Sequence, residues 1–104
     1  MRISIIYLSC GSEKEADQIG NVLLDKKLIA CFKKLPTQSS YRWKDKVYKE
    51  DETLLLLETD GSFFDRIEKE VRKIHSYETF VMLSVPVEKA SDGVEDWLQD
   101  SLGS

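Results

Sequence analysis

The sequence has a single histidine, two cysteines, two prolines and five glycines in 104 residues. Each shortage excludes something. His75 is the only imidazole, so a serine triad would have to use it, and a metal-assisted enzyme has one histidine per chain to work with. Cys10 and Cys31 do not stand in a C-x-x-C pair, which removes a zinc ribbon or a thioredoxin-type site. Cysteine this sparse suits a reducing compartment. No apolar run approaches the ~20 residues that cross a bilayer. The first one, Ile3, Ile5, Ile6, Tyr7 and Leu8, is soon followed by Glu13 and Glu15, too short for an export signal. A cytoplasmic location without membrane insertion is therefore expected. Positive charge is also in short supply. Fifteen Lys and Arg face nineteen Asp and Glu, a net charge of −4. Phosphate neutralisation needs a basic field, so nucleic acid is not an expected partner. The one basic stretch, from Lys33 and Lys34 through Arg42, Lys44, Lys46 and Lys49, runs straight into Glu50, Asp51 and Glu52. It reads as a solvated hairpin. There is no G-x-S-x-G, P-loop, G-x-G-x-x-G or H-E-x-x-H. No enzyme activity and no organic cofactor are expected.

What is present is a globular composition, 41% hydrophobic and 33% charged, without a linker or an internal repeat. Residues 1–104 make one domain. Arg2 to Leu8 reads as an isoleucine-rich strand. Ser12 to Lys27 reads as a helix: Ser12 and Glu15 form a capping-box pattern, and Ala16, Ile19, Gly20 and Leu23 make one stripe. Leu28 to Phe32 is a second apolar run. Pro36 to Ser40 suggests a bend or bulge, and Tyr41 to Trp43 resumes extended chain. Lys44-Asp45-Lys46 suggests a tight turn. The return strand runs through Val47 and Tyr48 into Thr53 to Thr59. After Asp60-Gly61-Ser62 a second helix runs to about Ile74, with Phe63 or Phe64, Ile67, Val71 and Ile74 on one face. Thr79 to Val87 reads as a fourth strand, with Pro86 at its end or on an edge. Asp92 to Leu102 reads as a short third helix, where Asp92 and Glu95 are a weaker capping pair and Val94, Trp97, Leu98 and Leu102 form the apolar face.

The order is βαββαβ with an additional helix. Helices alternating with strands around a central hairpin indicate an α+β, ferredoxin-like split βαβ sandwich. Both main helices then lie on one face of an antiparallel sheet. Such a sheet should alternate apolar with polar residues if its other face is wet. Ile5 to Leu8, Leu54 to Leu57 and Phe80 to Leu83 do not alternate. Two helices cover one face only, so the open face is expected to be buried against further copies of the chain in a closed homo-oligomer.

These same segments resemble a known family. Leu28-Ile29-Ala30-Cys31-Phe32 resembles the LIAC segment of the CutA divalent-cation tolerance proteins. Ser40-Tyr41-Arg42-Trp43-Lys44-Asp45-Lys46 resembles their S-x-Y-x-W-x-G-K hairpin. Glu52 and the strand from Leu54 to Thr59 follow at the family's spacing. His75-Ser76-Tyr77-Glu78 resembles HPYE, and Trp97-Leu98 the closing WL pair. The resemblance runs from about Ile3 to Leu102. It implies a tight homotrimer with an architecture similar to PII signalling proteins. It also implies a role in tolerance of divalent metals, copper above all, and in animal relatives a link to anchoring a membrane enzyme. Four positions depart from the pattern. Asp45 stands for a turn glycine, Ser76 and Phe80 for prolines, and Glu58 for a lysine.

The candidate metal ligands are Cys31, His75 and Glu78. Imidazole and thiolate suit copper and zinc, and a neighbouring carboxylate orients an imidazole. Against this, His75 can be a helix-end residue complementing the dipole, and Cys31 an inert buried thiol. Glu78 can simply make an ion pair. Cys10, beside Gly11, reads as a partly exposed thiol in a loop. Tyr41, Trp43, Lys44, Tyr77 and Trp97 are the candidate interface or pocket residues, with Trp97 in the core or at an interface. Three functions remain open: a trimer binding copper or another divalent ion, a PII-like sensor of a small anionic ligand at the basic, aromatic hairpin, and a scaffold for a protein partner with no ligand of its own.

Overall fold

The structure is a computed structural model that describes residues 1–103. It has the expected element order. Strand β1 spans Ile3–Cys10, helix α1 Glu13–Asp25, β2 Cys31–Trp43, β3 Lys46–Asp60, α2 Phe64–Ile74, β4 Met82–Pro86 and α3 Val94–Ser101. A 3-10 turn, Gly61–Phe63, leads into α2. The sheet runs β2-β3-β1-β4, and every pairing is antiparallel. This is the split βαβ layout.

The helices form where their caps and stripes place them. Ser12 accepts the Glu15 N–H at 3.1 Å, which satisfies one of the orphan donors of α1. Ala16, Ile19, Gly20 and Leu23 are the buried residues of α1, and Ile67 and Val71 those of α2. They close over Ile6, Leu8, Leu55 and Leu57, all fully buried. Thr59 is buried with them and donates to the Leu28 carbonyl at 2.6 Å.

Four local expectations are corrected. Pro36 to Ser40 does not bend. It lies within β2, with Pro36 opposite Thr53. Because β2 is an edge strand, a proline there need not remove a ladder bond. Leu28–Ala30 is not strand; β2 begins at Cys31. The fourth strand starts at Met82 and not at Thr79; residues 75–81 form an irregular segment in which the His75 side chain is fully buried. The Asp92 and Glu95 capping pair is not made. Gly93, in a left-handed conformation at φ 90°, precedes α3 without a side-chain cap bond. Trp97 is exposed and Leu98 is the buried residue of that helix, which leaves the interface alternative for Trp97.

The hairpin turn is made by Lys44 and Asp45, both at positive φ (49° and 66°). Two left-handed residues between paired strands match the right-handed strand twist. The hairpin is long because β2 and β3 pair all the way from Cys31–Glu58 to Trp43–Lys46.

The two faces of the sheet differ as the strand patterns require. Burial alternates along β1 and along β3 from Leu54. The helices cover the even residues of β1 and the odd ones of β3. The other face carries Ile5, Tyr7, Leu54 and Leu56, together with Leu35 (48% exposed), Leu83 (54%) and Val85 (51%). In the isolated chain this apolar surface meets water.

Candidate functional site

The strongest convergence of chemistry-bearing groups lies where β1 ends, α1 begins and α2 ends. β4 first pairs with β1 at Leu8, which leaves the carbonyl of Ser9 beyond the ladder. The ring of His75, whose side chain is fully buried, takes that place. Its Nε2 lies 2.8 Å from the Ser9 oxygen. A carbonyl cannot donate, so Nε2 carries the proton. Nδ1 accepts the N–H of Tyr77 at 3.1 Å, and the Glu15 carboxylate stands 3.6 Å from it. The ring thus sits as the neutral Nε2–H tautomer.

Glu15 joins three segments. One oxygen accepts the Gly11 N–H at 3.0 Å and the other the Ser76 N–H at 2.9 Å. The capping box is therefore half closed. Glu15 has turned its carboxylate towards Gly11 and across to the segment after α2. Burial pushes its carboxyl up, but the hydrogen bonds from Gly11 and Ser76 outweigh burial and hold it below 4.5.

Cys10 completes the cluster. It is the last residue of β1 and fully buried, not a loop thiol. Its sulfur, a Glu15 oxygen and a His75 ring nitrogen all lie within 4.8 Å of one another. Burial, with the charges of Glu15 and Glu52 adding to it, pushes the thiol up to about 12. Among the described residues this is the only such group of three.

The residues expected to act together do not meet in the chain. Cys31 begins β2 opposite Glu58, so both side chains project from the open face. There the Lys33 ammonium lies 3.5 Å from the Cys31 sulfur and 2.6 Å from Glu58. Cys10 projects from the helix face, two strands away. The sheet thus separates Cys31 from His75. Glu78 is exposed and lines a different feature, a cleft of about 760 Å³ beside the hairpin. Tyr41, Trp43 and Tyr77 line that cleft with it. Lys44 lies over the Trp43 ring at 5.6 Å, and Trp97 is on α3, outside the cleft.

The signal for Cys10 was its place two residues after Leu8 in the β1 alternation, which puts it on the buried face. The small residues Ser9 and Gly11 hid it by reading as a turn.

The family model of the CutA1 divalent ion tolerance protein matches residues 4–101. The chain belongs to this family. It is 32% identical over 98 residues to the divalent-cation tolerance protein CutA of Thermotoga maritima, a match covering 94% of this chain and 97% of that protein. The mouse protein CutA is 30% identical over 97 residues, 92% of this chain and 55% of the mouse protein. The chain thus spans about half the length of that animal relative. The structure of the periplasmic divalent cation tolerance protein CutA from Archaeoglobus fulgidus superposes with a TM-score of 0.93 at 30% identity, covering 95% of this chain and 97% of that one.

Within a CutA1 fold, the departures near His75 have a visible use. Ser76, in place of a proline, supplies the backbone N–H that Glu15 accepts; proline has none. Phe80, in place of the second proline, stacks on the His75 ring at 4.9 Å and 20°. The Arg72 guanidinium covers its ring at 4.7 Å. The two prolines expected to stiffen this segment are replaced by one hydrogen bond and one stack. Asp45 adopts the left-handed geometry of the turn, and Glu58 pairs with Lys33.

Proposed function

We propose that this member of the divalent-cation tolerance family takes up a divalent metal, copper or another, and works as a homotrimer. The convergence of Cys10, Glu15 and His75 carries the metal reading. Thiolate, carboxylate and imidazole together suit zinc and copper. His75 would exchange one N–H contact at Nδ1 for a metal bond and keep Nε2 on the Ser9 carbonyl, which fixes the ring. Cys10 would have to give up its proton in a buried setting, so uptake should strengthen as pH rises. The set expected from sequence, Cys31, His75 and Glu78, would require more than one chain, since the sheet stands between Cys31 and His75.

The homotrimer reading rests on the open face. Leu35, Leu83 and Val85, each about half exposed, lie on one surface with Ile5, Tyr7, Leu54 and Leu56. The two main helices lie on the opposite face, and closed symmetric assembly is the usual way such a surface is buried.

One experiment tests both parts. Native mass and copper content are measured after dialysis of the reduced protein for wild type, Cys10→Ser, His75→Ala and Cys31→Ser. Copper should fall in the first two variants and persist in the third, and the mass should be three times the 12.0 kDa of the chain. Equal copper in all four proteins would refute the cluster as the site. A mass of one chain would refute the assembly.

A further inference from the structure

The cleft beside the hairpin has a charge opposite to the one its sequence suggests. The hairpin is rich in lysine, yet none of its lysines lines the cleft. Lys34 reaches Glu13 and Asp17 on α1 at 2.9 and 2.7 Å, and Lys33 is held by Glu58 at 2.6 Å. The cleft, about 760 Å³, is lined instead by the carboxylates of Glu50, Glu52 and Glu78 against one cation, Arg42. None of the three carboxylates has an ion-pair partner among the described residues. Glu52 is only 8% exposed. One of its oxygens accepts the Tyr77 O–H at 2.6 Å, which fixes the carboxylate in the cleft wall. Burial, and then Glu52, drive the Tyr77 hydroxyl well above its ordinary value of 10.0, so it stays a donor. Tyr41, Trp43 and Tyr77 supply aromatic surface.

We infer that this cleft binds an organic cation, an alkylammonium or guanidinium group, against Glu52. A buried carboxylate without a counter-charge is costly unless a cation arrives. Aromatic walls favour organic cations through their ring faces. A bare metal ion fits less well, because these three carboxylates do not converge to ligand distance; among the described residues only Cys10, Glu15 and His75 do. The volume is in the range of small-molecule sites. The cleft shares no residue with that metal cluster, although its Tyr77 donates a backbone N–H to His75 and its Tyr7 belongs to the open face of the assembly reading.

The cation can be a free small molecule or a basic side chain of a second copy, and titration calorimetry with agmatine separates the two. Glutarate serves as the anionic control. Agmatine should bind wild type and glutarate should not. Glu52→Gln, which can still accept from Tyr77, should weaken agmatine about tenfold or more. The rim variant Glu78→Gln should weaken it less and guards against a folding defect at position 52. If agmatine does not bind but Glu52→Gln makes the assembly dissociate on dilution, the cation is a neighbour's Lys or Arg. The inference is overturned if glutarate binds as well as agmatine, if agmatine binds wild type and Glu52→Gln equally, or if Glu52→Gln changes neither binding nor assembly.

Discussion

Gly20 of α1 lies flat against the ring of Phe32 in β2, so close that a Cβ at position 20 would stand 2.6 Å from the ring. This contact sets how near α1 approaches the sheet, and glycine is there for close approach and not for backbone freedom. Gly20→Ala must displace a half-buried ring or lift the helix. Overpacking of this kind costs about 1–3 kcal/mol, while alanine in a helix returns ~1 kcal/mol. The variant should be net destabilised, with a lower urea midpoint and an unchanged m-value. An equal or higher midpoint would show that the ring moves aside freely.

Thr59 offers a sharper case, because its hydroxyl satisfies the Leu28 carbonyl inside the core. Thr59→Val keeps the shape and strands that oxygen, a loss of about 1–3 kcal/mol. Thr59→Ser keeps the bond and removes one methyl group, at about 1 kcal/mol. Denaturant unfolding should therefore rank wild type above Ser and Ser above Val. The order Val above Ser would mean that the methyl contacts matter more than the hydrogen bond.

The first of these contacts was half visible in the sequence and the second was not, and the reason is the same throughout the molecule. Whatever depends on local period was legible. Ser12 and the α1 stripe, the Ile67–Val71 face, the turn at Lys44-Asp45 and the apolar second face of β1 and β3 all follow from spacing along one element. The order of elements then indicates the split βαβ sheet. What depends on where one element ends against another was not legible. Cys10 meets His75 because β1 runs two residues past its pairing with β4, and no pattern within 75–81 announces that. The cleft's sign was misread for a related reason. Strand alternation sends Lys34 to the helix face and leaves Glu50 and Glu52 on the open one, a sorting that total charge along the hairpin does not show.

The two thiols should differ in reactivity. Cys10 is buried and pushed up to about 12, and the thiolate is the reacting species. Cys31 is also raised, by burial first and then by Glu58, but it is only partly buried and has the Lys33 ammonium near its sulfur. Iodoacetamide on the reduced native protein should label Cys31 first, and Cys10 only when the chain is unfolded. Peptide mass mapping reads this directly. Early labelling of Cys10 would place it at the surface.

The last prediction concerns acid stability of the metal-free protein and rests on Glu15. Burial alone would raise its carboxyl, yet the N–H groups of Gly11 and Ser76 hold it below 4.5. A carboxyl lowered in the folded state releases its proton more readily there than in the unfolded chain. Its ionised form therefore stabilises the fold at pH values above the unfolded value. That contribution is lost as pH falls through the lowered folded value. Glu15→Gln keeps an acceptor for one N–H but has no charge to lose. Unfolding free energies from neutral pH down to about 3 should show wild type more stable at neutrality, with the two curves drawing together in acid. The same substitution should also loosen the segment after α2, since Ser76 would lose a charge-assisted bond, and amide exchange at Ser76 and Tyr77 should quicken. Parallel curves over the whole range would mean that Glu15 contributes shape but no charge. In that case the bonds to Gly11 and Ser76 would not hold the end of β1, the start of α1 and the end of α2 together electrostatically.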